Sequence, residues 1–243
     1  MITENIKKIR TILAKAIQNP PSKYLDIKKQ IDRGLYGRLC DSKHIYLLPY
    51  ILDSYFDKEE IIYVEIGVLW GGSMCLSMQS EKKIKLYGID TFTGYYDLGL
   101  DPSAPWIKEV QSMDIVKHNI KEFNKQNHEY RLIQGKSSDS HVLERMENLD
   151  LSIDFLFIDG DHSYDGVQSD FYNYEKYVNY GGLILFDNYL GYNDFPNDAS
   201  EAGLQCSYGI NDLDFNRYGY DKIARVGNGM VVQKNEEKSL KRE

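Results

Sequence analysis

Two stretches decide the fold: Tyr63-Val64-Glu65-Ile66-Gly67-Val68-Leu69-Trp70-Gly71-Gly72-Ser73, and after it Lys85-Leu86-Tyr87-Gly88-Ile89-Asp90. An apolar run ends in an acid, a glycine-rich turn opens a helix-compatible run, and a second apolar run ends in aspartate. This is how a nucleoside-binding β-α-β unit reads.

The turn narrows the ligand. A dinucleotide fold uses G-x-G-x-x-G so that backbone N–H groups can approach a pyrophosphate at a helix N-terminus. From Gly67 this chain reads G-V-L-W-G-G, with Leu69 where the second glycine should stand. Glu65 at the strand end would repel a diphosphate and suits a ligand carrying ammonium and sulfonium charges. S-adenosylmethionine (SAM) fits that description. Asp90, about 20 residues past the turn, is placed to accept hydrogen bonds from ribose hydroxyls. The alternative is an ordinary buried crossover whose glycines serve only close packing.

Outward from this unit, strand candidates fall at 61–66, 84–89, 129–134, 153–158 and 182–186, with helical stretches near 72–80, 137–148 and 164–178. Continuous apolar runs such as Phe155-Leu156-Phe157-Ile158 and Leu183-Ile184-Leu185-Phe186 suit strands covered on both faces. Lys222 to Val226, Gly227-Asn228-Gly229 and Met230 to Gln233 read as a hairpin closing the sheet's edge. Before the sheet, Ile6, Ile9, Leu13, Ala16 and Ile17 recur at helical spacing until Pro20-Pro21. Asp41-Ser42 is a candidate cap for a helix carrying Leu48, Ile51 and Leu52. The expected fold is α/β: a Rossmann-like, doubly wound, mostly parallel seven-stranded sheet with an antiparallel C-terminal hairpin strand and an N-terminal helical extension. The expected organisation is a helical extension over 1–55, serving as a lid or oligomer surface, a SAM-binding catalytic domain over 56–234, and a charged tail over 235–243.

With 243 residues and a formal charge of −8, the chain can bury one substantial core and offers no global field for nucleic acid. The odd set Cys40, Cys75 and Cys206 lacks C-x-x-C spacing, so reduced thiols in cytoplasm are expected rather than a disulfide framework or zinc site. No run reaches the roughly 20 apolar residues needed to cross a bilayer. A soluble, cytoplasmic protein without nucleic-acid or membrane partners is expected.

A second constellation joins Phe157-Ile158-Asp159-Gly160-Asp161-His162-Ser163-Tyr164 to Leu185-Phe186-Asp187-Asn188-Tyr189. Both follow apolar strands, so their side chains emerge at the carboxyl edge, where open α/β sheets bind ligands. Neighbouring strands lie about 4.8 Å apart, close enough for Asp159, Asp187 and Asn188 to converge. Oxygen donors with open positions describe a site for Mg2+ or Mn2+. Simple helix capping by the aspartates is the competing reading. His162, with an ordinary pKa near 6.5, can take a proton from a substrate hydroxyl. His44, His118, His128 and His141 lack such a setting in the sequence.

V-E-I-G-V-L-W-G-G-S, G-I-D-T-F-T-G, Q-G-K-S-S-D-S, F-I-D-G-D-H-S-Y-D-G-V-Q-S-D-F and L-F-D-N-Y together resemble class I SAM-dependent methyltransferases over roughly residues 58 to 190. More narrowly, the chain resembles the small bacterial O-methyltransferases related to the catechol, caffeoyl-CoA and macrolide-sugar enzymes. The resemblance implies that Glu65, Gly67, Gly71, Gly72 and Ser73 surround the methionine end of SAM. Asp90 would hold the ribose, and Phe92, Ser137 and Ser138 would lie about the adenine. Asp159, Asp187 and Asn188 match metal ligands, and Asp159 counts among the cofactor-binding and catalytic residues as well. His162 stands where the catechol-like group has lysine. Leu69 departs from the more glycine-rich form of the turn, and Ala104-Pro105-Trp106 lies in a segment that smaller relatives lack.

The implied activity is methyl transfer to a hydroxyl of a small molecule, with divalent-metal assistance. Vicinal hydroxyls suit such a metal, and the Lys/Asn/Ile/Tyr-rich composition favours a sugar or sugar nucleotide of bacterial glycan, capsule or natural-product synthesis over a plant-like phenol. A homo-oligomer is compatible with this. Rival readings are a metal-independent N- or O-methyltransferase using His162 as base, an NAD-dependent oxidoreductase, and a non-catalytic SAM-fold partner protein.

Overall fold

A computed structural model describes residues 4–37, 39, 44–93, 112–191 and 200–235. Its centre is a seven-stranded sheet of β1 (Glu60–Ile66), β2 (Lys83–Asp90), β3 (Glu129–Gln134), β4 (Ile153–Ile158), β5 (Val178–Phe186), β6 (Tyr220–Val226) and β7 (Gly229–Lys234). Their order is β3-β2-β1-β4-β5-β7-β6, and the first five are parallel. β7 runs antiparallel to both β5 and β6, so the hairpin closes one edge as its Gly227-Asn228 turn predicts. The order in which strands are added reverses between β1 and β4. Residues just past those two strands therefore flank the topological switch point, the crevice where such sheets bind ligands.

Alternation along the strands builds two apolar layers. One face carries Tyr63, Leu86, Phe155, Phe157, Leu183, Leu185 and Val231, and meets α1 (Glu4–Gln18), α2 (Ser22–Gly34), α3 (Leu47–Tyr55), α4 (Gly72–Ser77) and α5 (Met113–Phe123). The other carries Val64, Ile66, Leu156, Ile158, Ile184 and Phe186, and meets α6 (Ser140–Leu149), α7 (Tyr164–Tyr174) and α8 (Glu201–Asn211). Ile6, Ile9, Leu13 and Ala16 of α1 are buried in the first layer, so the N-terminal helices share the core of the sheet.

Several expectations need adjusting. Ile17, counted with the apolar face of α1, is 48% exposed because the helix has turned it away from the sheet. α2 was not expected, since its sequence carries few apolar residues; only Tyr24 and Ile31 are buried. The stretch 164–178 is helical only to Tyr174; a 3-10 turn over Glu175–Tyr177 leads into β5, which begins at Val178. The turn residues Asn179 and Gly181-Gly182 masked that early start. Asp41-Ser42, Cys40 and Ala104-Pro105-Trp106 lie outside the described residues. No helix among the described residues is long and apolar enough to cross a membrane.

Candidate active site

At the end of β1 the chain turns through Gly67 and Leu69, both in left-handed backbone conformations with φ of 87° and 53°. Glycine at 67 is required twice over, by that φ and by contact: a Cβ there would fall 1.9 Å from the Asp159 carbonyl oxygen. Leu69 holds its rarer conformation because Asp90 anchors the turn. Asp90 Oδ2 accepts from the N–H of Val68 and of Leu69 at 2.8 and 2.9 Å, and its Oδ1 accepts from Phe92 N–H at 2.8 Å. Asp90 thus shapes the turn that it was expected only to face, and with the Thr91 hydroxyl 3.4 Å from Oδ1 each carboxylate oxygen already has two donors, so a ligand hydroxyl would have to share or displace one of them. Phe92 is itself left-handed, at φ 54°, and packs in the first apolar layer.

Glu65 is completely buried, directed inward between Tyr63 and Ser73, whose hydroxyls both donate to its carboxylate, the tyrosine at 2.6 Å. Burial pushes its pKa up to about 8, with Asp90's charge adding to the shift and the two hydroxyls opposing it. Gly71 caps α4 at φ 79°, and Gly72 presses on Leu39, whose Cδ1 would lie 2.6 Å from a Cβ. Ser137 donates to the buried carboxyl of Asp170 and accepts at its carbonyl from Tyr174 at 2.8 Å, while Ser138 beside it is exposed. Burial pushes Asp170 up to about 7, against the Ser137 hydrogen bond.

The second constellation assembles at the ends of β4 and β5. The parallel ladder continues past both strands, with Asp159 N–H donating to Ile66 and Asp187 N–H to Ile158. The carboxyl of Asp159 lies within interaction range of that of Asp187. His162 Nε2 lies 3.1 Å from Asp159 Oδ1, and Asn188 Nδ2 lies 3.0 and 3.1 Å from the two ring nitrogens of His162. Burial lowers the His162 pKa, only partly offset by the charges of Asp187 and Asp161, so the ring is neutral at pH 7. Asn188 adopts φ 56°, a strained placement that aims its amide across the edge.

The sequence reading missed His44 here. His44, read as lacking a functional setting, is fully buried with Nε2 3.1 Å from Asp187 Oδ1 and Nδ1 3.0 Å from Asn228 Oδ1. Nothing in the sequence near His44 signals a partner so far along the chain. Burial opposes ionisation of Asp187, yet the contacts of His44 and Asp159 and the field of His162 outweigh it and hold the carboxyl below the usual range. Tyr63 and Asp170 were missed as well. Tyr63 was legible, standing two residues before Glu65 and therefore on the same strand face. Among the described residues no group of three or more His, Cys, Asp or Glu side chains is arranged to hold a metal ion.

Residues 64–189 match a family model described as a methyltransferase domain. "Uncharacterized protein R132" of Acanthamoeba polyphaga mimivirus is 36% identical over 168 residues, 69% of this chain and 68% of the viral protein. Among solved structures, a putative caffeoyl-CoA O-methyltransferase from Staphylococcus aureus superposes with a TM-score of 0.51 at 16% identity, covering 93% of this chain and 98% of that one. The MycE methyltransferase of the mycinamycin biosynthetic pathway, solved with Mg, S-adenosylhomocysteine (SAH) and mycinamycin VI, gives 0.52 at 18% identity over 87% of this chain and 53% of its own. At these identities the two structures establish likeness of fold.

Proposed function

This chain belongs to the methyltransferase-domain family and is a SAM-dependent methyltransferase; we propose that its acceptor is a hydroxyl group of a small molecule carrying vicinal hydroxyls, such as a sugar or sugar nucleotide. The observation that carries this reading is the meeting of Asp159, Asp187, Asn188 and His162 beside the Gly67 turn. A neutral imidazole at the switch point supplies a proton acceptor, which hydroxyl methylation needs and transfer to a neutral amine does not.

SAM brings a methyl group already activated on sulfonium, so the protein's task is alignment and proton removal. The turn from Gly67 to Ser73 and the carboxylate of Asp90 bind and orient the donor. The acceptor oxygen bonds to the methyl carbon as the carbon–sulfur bond breaks; sulfur keeps the electron pair and the hydroxyl proton passes to His162. Asp159, 3.1 Å from that ring, orients it and stabilises the positive charge it gains.

The donor set fits a hard divalent ion in chemistry, since two neighbouring carboxyls and an amide oxygen are ligands of that class and like charges this close favour a cation. Asp159, Asp187 and Asn188 would hold Mg2+ or Mn2+. Such an ion acidifies and orients hydroxyls. That MycE was solved with Mg supports this reading by analogy. A metal-independent mechanism through His162 is the second reading, favoured by the direct His162–Asp159 contact.

Incubation with isotopically labelled SAM and a panel of sugars, nucleotide sugars, catechols and amines tests the proposal. Label on a diol oxygen, abolished by chelator and restored by Mg2+ or Mn2+, is the expected result. Label confined to amines would reject the acceptor class, and full turnover in chelator would reject the metal.

A further inference from the structure

His44 lies outside the matched domain, yet it reaches the acidic edge of the sheet. Its ring bridges two separate pieces of that edge, facing Asp187 past the end of β5 through Nε2 and Asn228 in the β6–β7 turn through Nδ1. The fit is tight on the flat of the ring: a Cβ on Gly229 would come within 2.8 Å of the imidazole. Nε2 has no solvent exposure, and the carboxyl oxygen Oδ1 of Asp187, 3.1 Å away, is the polar atom it faces. Asn228 adds its own side-chain amide 3.4 Å from both Asp187 Oδ1 and Asn188 Oδ1.

The same N-terminal segment clasps the other half of the site. Leu35 and Leu39 press on Gly72, Gly37 lies flat against Trp70, and Asn119 ties the Tyr36 backbone to the Trp70 carbonyl at 2.9 and 2.8 Å. The segment ahead of α3 therefore touches the glycine-rich turn at one end and the acidic loops at the other.

We infer that His44 is a positioning residue of the active edge: its Nε2 fixes the Asp187 carboxyl against Asp159, making the N-terminal helical region a working part of the methyl-transfer site. The inference rests on the functional reading given to Asp187 above. It assigns His44 no contact with donor or acceptor.

Two substitutions separate this role from a structural one, because glutamine places a polar group where Nε2 lies and asparagine where Nδ1 lies. With the full-length protein, His44→Asn keeps the tie to Asn228 and loses the contact with Asp187. It should lower kcat at least tenfold, with KM for SAM and SAH affinity nearly unchanged. His44→Gln should recover most of that loss. Recovery by asparagine and not by glutamine, or loss of SAH affinity in step with kcat, would overturn the inference. An arm independent of turnover uses the carboxyl 13C resonance of Asp187, which should move in His44→Asn and return toward its original position in His44→Gln. A resonance indifferent to both overturns the inference even if no acceptor is ever found. Absence of turnover in the unaltered protein, with the resonance behaving as expected, would instead count against the hydroxyl-acceptor reading alone. Should the asparagine variant fail to fold, Asp187→Asn supplies the reciprocal measurement. The ring 15N signals of His44 must shift in it, and unshifted signals overturn the inference.

Discussion

The α-carbon of Gly67 rests against the backbone carbonyl of Asp159, so close that any side chain at 67 would overlap that oxygen. The glycine-rich turn after β1 and the acidic loop after β4 are thereby one packed unit, and the spacing between the proposed donor site and the proposed base is set by backbone.

Gly67→Ala should consequently damage both stability and site. The added Cβ must displace backbone and hold a left-handed φ, which together cost about 3 kcal/mol or more. Denaturant unfolding should show a lowered midpoint, and SAM affinity should fall with it. An alanine variant with the parent's midpoint would mean that the two loops are not locked.

How far the sequence discloses this site depends on how local the contact is. Glu65, Gly67 and Asp90 are legible because a strand, a tight turn and a second strand leave a fixed pattern of apolar run, glycine and acid. Asp159 and Asp187 are legible because each ends an apolar run, and the adjacency of β4 and β5 follows from the doubly wound order. The inward direction of Glu65 is not, since it depends on Tyr63 and Ser73 closing over the carboxylate. Nor is His44, whose partners Asp187 and Asn228 are brought to it only by tertiary packing. α2, α5 and α8 escaped the reading because few of their buried residues are large and apolar: α2 buries Tyr24 and Ile31, α5 Val116, Asn119 and Ile120, and α8 Gly203, Cys206, Ser207, Gly209 and Ile210.

On the proposed reading, in which Glu65 faces the cationic end of SAM, donor binding is linked to a proton. Its pKa of about 8 in the unliganded protein leaves it mostly protonated at pH 7, and a nearby sulfonium or ammonium favours the carboxylate. SAM binding at pH 7 should therefore release protons, and affinity should rise with pH until Glu65 is ionised beforehand. Calorimetric titration in buffers of different ionisation enthalpy measures the release. Glu65→Gln should abolish it; equal release in that variant would assign the proton elsewhere.

Stability should carry the mark of the same acid and of Asp170. Both have folded pKa values above their ordinary ones, about 8 against 4.5 and about 7 against 3.8, so the native state binds protons that the unfolded chain has lost. Their contribution is greatest at low pH and is withdrawn as pH rises from about 4 to 8, at no more than about 1.4 kcal/mol per pH unit for each group. His128 and His162, held low by burial, act in the opposite sense below their ordinary value, because the unfolded chain then binds the extra protons. The informative quantity is thus a difference between proteins. Melting followed from pH 5 to 8 should show a shallower decline in Glu65→Gln and in Asp170→Asn than in the parent, and parallel curves would contradict the buried placement of these acids.

The last expectation concerns His162, whose neutral ring stands 3.1 Å from Asp159 and within reach of Asn188. As general base its removal in His162→Ala should reduce kcat by roughly 100-fold to 10,000-fold with SAM affinity nearly intact. Because burial lowers its pKa, activity in the parent should climb with pH to a plateau reached below the pH at which an ordinary histidine would finish titrating. The alanine variant should lose that limb of the profile. If the ring served instead as a metal ligand, excess Mg2+ or Mn2+ would restore the rate and the variant's metal affinity would be the quantity that falls. Normal turnover in His162→Ala at every metal concentration would leave proton removal to another group, and with it the hydroxyl chemistry proposed for this edge would lose its base.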